Sequence, residues 1–216
     1  MSAALTKKRL AEAAGLLAVR DKDLARILRD DGTPPLWGRK PGFVTLIRII
    51  LEQQVSLASA DAAYRRLTDN LAPLTPDEVL AAGVTSLRSL GITRQKATYC
   101  ANVADAIRSG ELDLKDVGRS DDETAIGKLT QIKGVGPWTA QIYLLMALRR
   151  PDVWPAGDIA LAAAVQSVKG LQERPTPAEL AEAADAWRPY RAAAARMLWQ
   201  HYLNSMSKRE SNTRRP

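Results

Sequence analysis

Residues 129–140 hold two glycines that flank a single valine and are followed at once by a proline. Glycine lets the backbone turn sharply and leaves its N–H groups unobstructed by a side chain. Proline suits the first position of a helix, where its missing N–H would have no intrahelical partner. The segment therefore predicts two helices joined by a tight turn. The amides of this turn would lie at a helix N-terminus, which is a favourable place to bind a phosphate group.

Apolar residues recur with helical spacing along nearly the whole chain. One set has the i, i+3, i+4, i+7, i+8 spacing of a buried helix face and consists of Phe43, Leu46, Ile47, Ile50 and Leu51. Helix starts are marked by capping-box patterns at residues 75–78, 120–123 and 176–179. Runs that alternate apolar and polar residues, as strands do, are absent. We therefore predict an all-α protein with about ten short helices.

The net charge of +7 points toward an anionic partner, but part of it is concentrated near the C-terminus. Residues 207–216 hold four basic residues and one acidic residue, which leaves +4 for the remainder. No apolar run approaches the roughly 18 residues that a membrane span requires, and residues 1–9 lack a secretion signal. We expect a cytoplasmic protein without a membrane partner, and a disordered basic tail over residues 206–216.

The residues that usually bind transition metals are scarce. Cys100 is the only cysteine, so the chain can form neither an internal disulfide nor a four-cysteine iron–sulfur cluster. Because Cys100 lies on the apolar face of a helical pattern, we expect a buried, unreactive thiol. His201 is the only histidine, and no His/Cys/Asp cluster has transition-metal spacing.

Four sequence blocks occur in a fixed order: residues 51–56, residues 91–97, the hairpin with residues 154–158, and residues 187–191. Together they resemble the helix-hairpin-helix DNA glycosylases, most closely the branch that removes alkylated bases, the 3-methyladenine DNA glycosylase II type. The resemblance covers most of residues 37–200. It implies one compact helical unit over residues 1–205, built of two lobes with a central cleft. One lobe would be formed by about residues 40–130, and the other by residues 1–39 plus 131–205.

The resemblance also implies a function. We expect a monofunctional glycosylase of base excision repair that flips alkylated purines of the 3-methyladenine or 7-methylguanine type out of damaged double-stranded DNA and hydrolyses their N-glycosidic bonds. Bifunctional relatives carry a lysine two residues after the second hairpin glycine, and here that position is Trp138. We therefore expect no lyase activity. Two alternatives remain open: a glycosylase for deaminated or oxidised bases, and a non-catalytic DNA-binding protein. We expect a monomer.

Asp158 is the candidate catalytic residue. Its position just before a stretch with helical periodicity predicts that it caps a helix N-terminus. Without the resemblance, capping would be the only role expected of it. The resemblance places this aspartate in the cleft, facing the bound nucleotide. Cleavage of an N-glycosidic bond builds positive charge on the sugar, and a carboxylate beside it stabilises that charge. The carboxylate can also orient or deprotonate the attacking water.

The base pocket is assigned to aromatic residues, because alkylated purines carry positive charge and are attracted to aromatic faces. The candidates are Trp138, Trp199 and Tyr143, with core packing as the alternative for the last two. In the resembling family a side chain fills the gap left by the flipped base and lies in the turn after the first long core helix. Here that turn offers Gln53, Gln54 and Leu57, although an ordinary helix end would explain the glutamines nearly as well.

The hairpin is the predicted contact with the DNA backbone. The residues assigned to it are Lys133, Gly134, Val135, Gly136 and Thr139. We expect no cofactor. Related hairpins bind a monovalent cation, Na⁺ or K⁺, through backbone carbonyls when DNA is bound, and in this chain the carbonyls would be those of Thr130, Ile132 and Val135.

Overall fold

The computed structural model describes residues 4–213, with side chains through Lys208, and this part of the chain forms twelve helices and no strand. The helices are α1 (Lys7–Arg20), α2 (Lys22–Asp31), α3 (Phe43–Glu52), α4 (Leu57–Asn70), α5 (Pro76–Ser89), α6 (Arg94–Ser109), α7 (Leu114–Arg119), α8 (Asp122–Thr130), α9 (Pro137–Met146), α10 (Ile159–Lys169), α11 (Pro177–Asp185) and α12 (Arg191–Thr213). The all-α prediction is confirmed. None of the helices within residues 4–213 combines the length and the apolarity needed to cross a bilayer.

The chain divides into two compact units. The continuous unit spans residues 39–148 and holds α3 to α9, whereas the terminal unit joins residues 1–38 to residues 149–216 and holds α1, α2 and α10 to α12. The second boundary lies after residue 148, whereas the sequence predicted it near residue 130. The difference arises because α9 packs against α3 and α8, so the whole hairpin belongs to the continuous unit.

Helix α12 continues to Thr213, beyond residue 205, where the sequence predicted a disordered tail. A helix propagates at little cost once it has formed. Lysine, arginine and glutamate, which recur over residues 208–210, also have high helix propensities. The predicted tail therefore begins as a helical extension, and residues 214–216 lie outside the described residues.

Helix α3 is the centre of the continuous unit. Seven of its ten residues are buried, because α4, α6 and α9 all pack against it. The one buried polar side chain, Thr45, donates its hydroxyl to the carbonyl of Lys40 at 2.7 Å. This packing fixes the C-terminal end of α3, where the sequence block 51–56 begins.

Helix α12 is the corresponding element of the terminal unit. Four consecutive alanines, Ala192 to Ala195, are fully buried and allow α1, α2 and α10 to approach closely. Arg196 is also fully buried, and its Nε donates to the carbonyl of Leu36 at 2.8 Å. Burial lowers the pKa of Arg196 to about 10. The result is a densely packed helix on which α10 is held.

Two of the three predicted caps form at the expected residues. Thr176 and Glu179 make the complete capping box of α11, and Thr75 accepts the backbone N–H of Glu78 in α5. Helix α8 instead begins one residue later than the pattern indicated, with Asp121 as its cap. The reason is that the hydroxyl of Ser120 donates to the carbonyl of Asp116 and ends α7.

Candidate nucleic-acid interface and catalytic carboxylate

The predicted hairpin lies between α8, which ends at Thr130, and α9, which begins at Pro137. Pro137 occupies the first turn of α9, as predicted, and Gly136 is the N-cap. Gly136 supplies no side-chain acceptor to the first turn of α9. The exposed Gly136 therefore leaves the N-terminus of α9 accessible without a capping side chain.

Gly134 is required at the bend for two separate reasons. Its φ of +107° lies in a region that residues with a side chain rarely adopt. A Cβ at this position would also lie 2.3 Å from Cγ of Tyr99, a residue of α6. The Tyr99 ring therefore packs directly on the hairpin backbone, and only glycine leaves room for it.

Gln53 supports the same bend from the end of α3. Its Nε2 donates to the carbonyl of Gly134 at 2.9 Å and to Oγ1 of Thr139 at 2.9 Å. The structure thus places the amide of Gln53, one of the three intercalation candidates, against the hairpin, and intercalation by Gln53 stays an untested prediction. Thr139, assigned by the sequence to the DNA backbone contact, is buried, and its hydroxyl accepts from Gln53.

One face of α6, formed by Lys96, Tyr99 and Asn102, completes this support and is called here the α6 contact face. Nδ2 of Asn102 donates to the carbonyl of Lys133 at 3.0 Å, and Nζ of Lys96 donates to the carbonyl of Leu51 at 2.7 Å. Burial lowers the pKa of Lys96. Sequence reasoning missed this role, although the three-residue spacing places all three side chains on one helix face.

The remaining hairpin residues divide by exposure. Lys133 and Gly136 are exposed and remain candidates for contact with a DNA backbone. Val135 is only 2% exposed, and its N–H donates to the carbonyl of Ile132 at 2.9 Å within the turn. Val135, which the sequence assigned to the DNA backbone contact, therefore has a buried side chain and an N–H that is already bonded within the turn. The carbonyls of Thr130, Ile132 and Val135 remain only a predicted cation site. Within residues 4–213, no group of His, Cys, Asp or Glu has the arrangement of a metal site.

The turn between α3 and α4 exposes both of the other intercalation candidates. Gln54 is exposed and has a φ of +53°, an unusual backbone conformation for a residue with a side chain. Leu57, the first residue of α4, is 60% exposed despite its apolar side chain. Val55 is exposed as well. Strained, exposed turns of this kind are typical of binding surfaces.

Asp158 caps the N-terminus of α10, as predicted. Its Oδ1 accepts the backbone N–H of Leu161 at 2.9 Å and the indole N–H of Trp199 at 3.1 Å. Asp158 is half-buried, whereas Trp199 is only 8% exposed. Trp199, predicted as a base-pocket wall or a core residue, is thus a buried residue with a direct bond to the candidate catalytic group.

The two other predicted pocket residues lie in α9 and differ in exposure. Tyr143 is fully buried, and its hydroxyl accepts the backbone N–H of Gly42 at 2.9 Å. Burial raises the pKa of Tyr143. Its assignment to an open base pocket is therefore wrong, and Tyr143 is a core residue. Trp138 is half-exposed at the start of α9 and remains a candidate.

Cys100 has the properties of the buried, unreactive thiol that the sequence predicted. It is buried in α6, and burial raises its pKa to about 12 against the opposing effect of Lys96. A thiol with such a pKa is almost entirely protonated at neutral pH and is a poor nucleophile.

Comparison with known proteins gives consistent matches. Residues 47–189 match the family described as HhH-GPD superfamily base excision DNA repair protein. The chain is 31% identical over 166 residues to DNA-3-methyladenine glycosylase 1 of Schizosaccharomyces pombe, covering 75% of this chain and 73% of that protein. It is 29% identical to DNA-3-methyladenine glycosylase 2 of Escherichia coli, covering 74% of this chain and 59% of that protein.

A solved structure agrees with these sequence matches. The Schizosaccharomyces pombe 3-methyladenine DNA glycosylase in complex with abasic DNA has a TM-score of 0.78 to this structure at 27% identity. The match covers 88% of this chain and 95% of that chain. The resemblance inferred from the four sequence blocks is confirmed. The family match includes the hairpin and Asp158 but ends before Trp199.

Proposed function

The chain belongs to the HhH-GPD superfamily of base excision DNA repair proteins, and we propose that it is a DNA glycosylase that hydrolyses the N-glycosidic bond of alkylated purines in damaged double-stranded DNA. The names of its relatives, DNA-3-methyladenine glycosylases 1 and 2, support this substrate class. The similar solved structure holds abasic DNA, which is what removal of a base leaves behind. Water is the only co-reactant of such a hydrolysis, so the proposed reaction needs no cofactor. We propose that the protein acts as a monomer.

The single observation that carries the proposal is the arrangement at Asp158. Two N–H donors, from Leu161 and Trp199, converge on one carboxylate oxygen at 2.9 and 3.1 Å. When the bond between base and sugar breaks, positive charge develops on the deoxyribose, and an oriented carboxylate next to it stabilises the transition state. The same carboxylate can orient the water that attacks C1′. An alkylated purine is already positively charged and therefore leaves readily.

We propose further that the enzyme is monofunctional. A strand-nicking mechanism needs an amine that attacks C1′ and forms a Schiff base. The position at which bifunctional relatives carry that lysine holds Trp138. An aromatic side chain at this position would attract a cationic base, by about 0.5–2 kcal/mol for a well-placed contact.

The hairpin would bind the DNA backbone, and the turn between α3 and α4 would insert a side chain into the DNA double helix. Lys133 and Gly136 are exposed on the hairpin, where a phosphate can approach the N-terminus of α9. A Na⁺ or K⁺ ion held by hairpin carbonyls would strengthen this contact. Leu57, with its exposed apolar side chain, fits the role of the residue that fills the gap left by the flipped base.

A base-release assay tests the proposal. Duplex oligonucleotides that each contain one alkylated, deaminated or oxidised base are incubated with the protein, and the abasic sites formed are cleaved with alkali. We expect cleavage at the alkylated purines. The variant Asp158→Asn should lose activity by about 100-fold or more while binding an abasic duplex almost as wild type does, because asparagine still caps the helix.

The matched control is Asp121→Asn. Asp121 caps α8 through the backbone N–H of Thr124 and has no place in the proposed mechanism, so this variant should retain wild-type activity. Wild-type protein that releases no alkylated base, or an Asp158→Asn variant of near-normal turnover, would overturn the proposal. Borohydride treatment during turnover should trap no covalent adduct with DNA, and an adduct would contradict the monofunctional assignment.

A further inference from the structure

The indole N–H of Trp199 donates a hydrogen bond to the carboxylate of Asp158. This bond indicates a role for Trp199 other than stacking on a base. We propose that Trp199 is a positioning residue, whose indole N–H holds the Asp158 carboxylate in the orientation needed for catalysis. This inference rests on the proposed function, because it assumes that Asp158 acts on the deoxyribose.

The geometry supports a specific constraint on the carboxylate. The carboxylate of an aspartate turns readily about its Cβ–Cγ bond, since that torsion has a broad energy profile. Here the N–H of Leu161, from α10, and the indole N–H of Trp199, from α12, both bind Oδ1. The two donors come from different helices and bind the same oxygen, so a rotation that moves Oδ1 away from its position weakens both bonds. The orientation of the carboxylate is therefore set jointly by α10 and α12.

The indole is itself held in place. Trp199 is only 8% exposed, and the residues just before it in α12, Met197 and Leu198, are buried. A side chain packed in this way has little freedom to change rotamer. Because the indole N–H of Trp199 is fixed in position, its hydrogen bond restricts the movement of the Asp158 carboxylate. Catalytic groups held to within about 0.5 Å of the productive position by such partners are the ones that work efficiently.

The inference is tested by removing the donor while keeping the aromatic ring. Trp199→Phe deletes the indole N–H but retains an apolar ring able to stack on a base. We expect the single-turnover rate of base release to fall about tenfold or more, because small misplacements of a reacting group are costly. The dissociation constant for the same duplex should change by less than about twofold. If Trp199 acted only by stacking or by core packing, the rate would remain near that of the wild type.

The same unit offers a matched control. The indole N–H of Trp187, which is also buried, donates to Oδ2 of Asp21 at 3.0 Å. Trp187→Phe removes an equivalent bond from a buried tryptophan to an aspartate that has no role in the chemistry. Both variants should melt at lower temperature than the wild type, but only Trp199→Phe should lose rate when each is assayed well below its melting temperature.

A second replacement keeps the test decisive if Trp199→Phe fails to fold. Site-specific replacement of Trp199 by benzothienylalanine exchanges the N–H for sulfur with almost no change of shape, and it should give the same loss of rate. Wild-type rates in this protein and in Trp199→Phe would overturn the inference while the proposed function stands. A wild-type enzyme that releases no base would instead overturn the proposed function itself.

Discussion

The side-chain amide of Gln53 donates to the main-chain carbonyl of Gly134 at 2.9 Å, across 81 positions of the sequence. The same nitrogen reaches Oγ1 of Thr139 at 2.9 Å, so one amide bonds both the bend of the hairpin and the first turn of α9. The conformation of the hairpin is therefore set by the end of α3 as well as by the glycines. A change at position 53 should affect the hairpin even though position 53 lies far away in the sequence.

We expect Gln53→Leu to destabilise the protein by about 1–3 kcal/mol, because it leaves the carbonyl of Gly134 and the hydroxyl of Thr139 without their donor. Urea denaturation measures this change, and DNA affinity should fall in parallel. Asn70→Ala is a suitable control, since it deletes an exposed side-chain amide that donates to the carbonyl of Arg66 in α4. Equal stability of the Gln53→Leu variant and the control would show that the hairpin does not depend on Gln53.

The substitution Gly134→Ala should be among the most damaging in the continuous unit. The new Cβ would meet the Tyr99 ring at 2.3 Å, and the backbone φ of +107° is unfavourable for alanine. We expect a loss of about 2–4 kcal/mol in the free energy of unfolding, measured by urea denaturation. Gly127→Ala is the control, because nothing lies within 4 Å of its added Cβ and the site is helical.

The steric and conformational parts of this effect can be separated. In the double variant Gly134→Ala/Tyr99→Ala the clash is removed and only the strain at φ +107° remains. We expect this double variant to be more stable than the sum of the two single substitutions indicates. Strict additivity of the two effects would mean that Tyr99 does not press on the hairpin backbone.

Leu57→Ala should impair base release from a fully paired duplex more than from a duplex in which the target base is mismatched. The reason is that a mismatched base already leaves the stack at lower cost, so a residue that fills the gap matters less. The ratio of the two single-turnover rates measures the effect, and stability should change by less than about 0.5 kcal/mol. Val19→Ala, which shortens the exposed side chain of α1, is the control and should leave the ratio unchanged.

The stability of the terminal unit should depend on pH through Asp31. Burial would raise the pKa of Asp31, but hydrogen bonds from Asn204 and His201 outweigh it and hold that pKa below its ordinary value. A lowered pKa in the folded state stabilises the fold above the ordinary carboxyl pKa. That stability is lost as the pH falls through the lowered value.

We therefore expect wild-type protein to lose more free energy of unfolding between pH 6 and pH 3 than the variant Asp31→Asn, which has no carboxylate to protonate. Urea denaturation at the two pH values measures the difference. The same loss in both proteins would mean that Asp31 contributes nothing to the acid sensitivity of the unit.

Local patterns predicted much of the fold. The buried face of α3, the cap of α11 at Thr176 and the cap of α10 at Asp158 all follow from spacing and residue type within a few positions. The hairpin was predicted for the same reason, since glycines and a proline determine a turn locally. Where the structure differed, as at the start of α8, a neighbouring hydrogen bond of Ser120 decided the boundary.

The partners of the site residues could not be predicted in this way. Gln53, Asn102 and Trp199 each bond to a residue that is at least 31 positions away, and nothing in the local pattern distinguishes such a residue from an ordinary helix position. The exposure of individual side chains could not be predicted from the sequence either. Tyr143 and Trp138 both lie in the apolar stretch of α9, but only the three-dimensional packing reveals that the tyrosine is fully buried and the tryptophan is not.

The division of the chain into a continuous and a discontinuous unit has a consequence for synthesis on the ribosome. Residues 39–148 emerge as one stretch, so the helices around the hairpin can begin to pack before translation is finished. Leu161 meets Asp158 as soon as α10 forms, whereas Trp199 becomes available only when α12 has left the exit tunnel. A nascent chain halted before α12 would thus already contain the hairpin, while the carboxylate of Asp158 still lacked the indole N–H of Trp199.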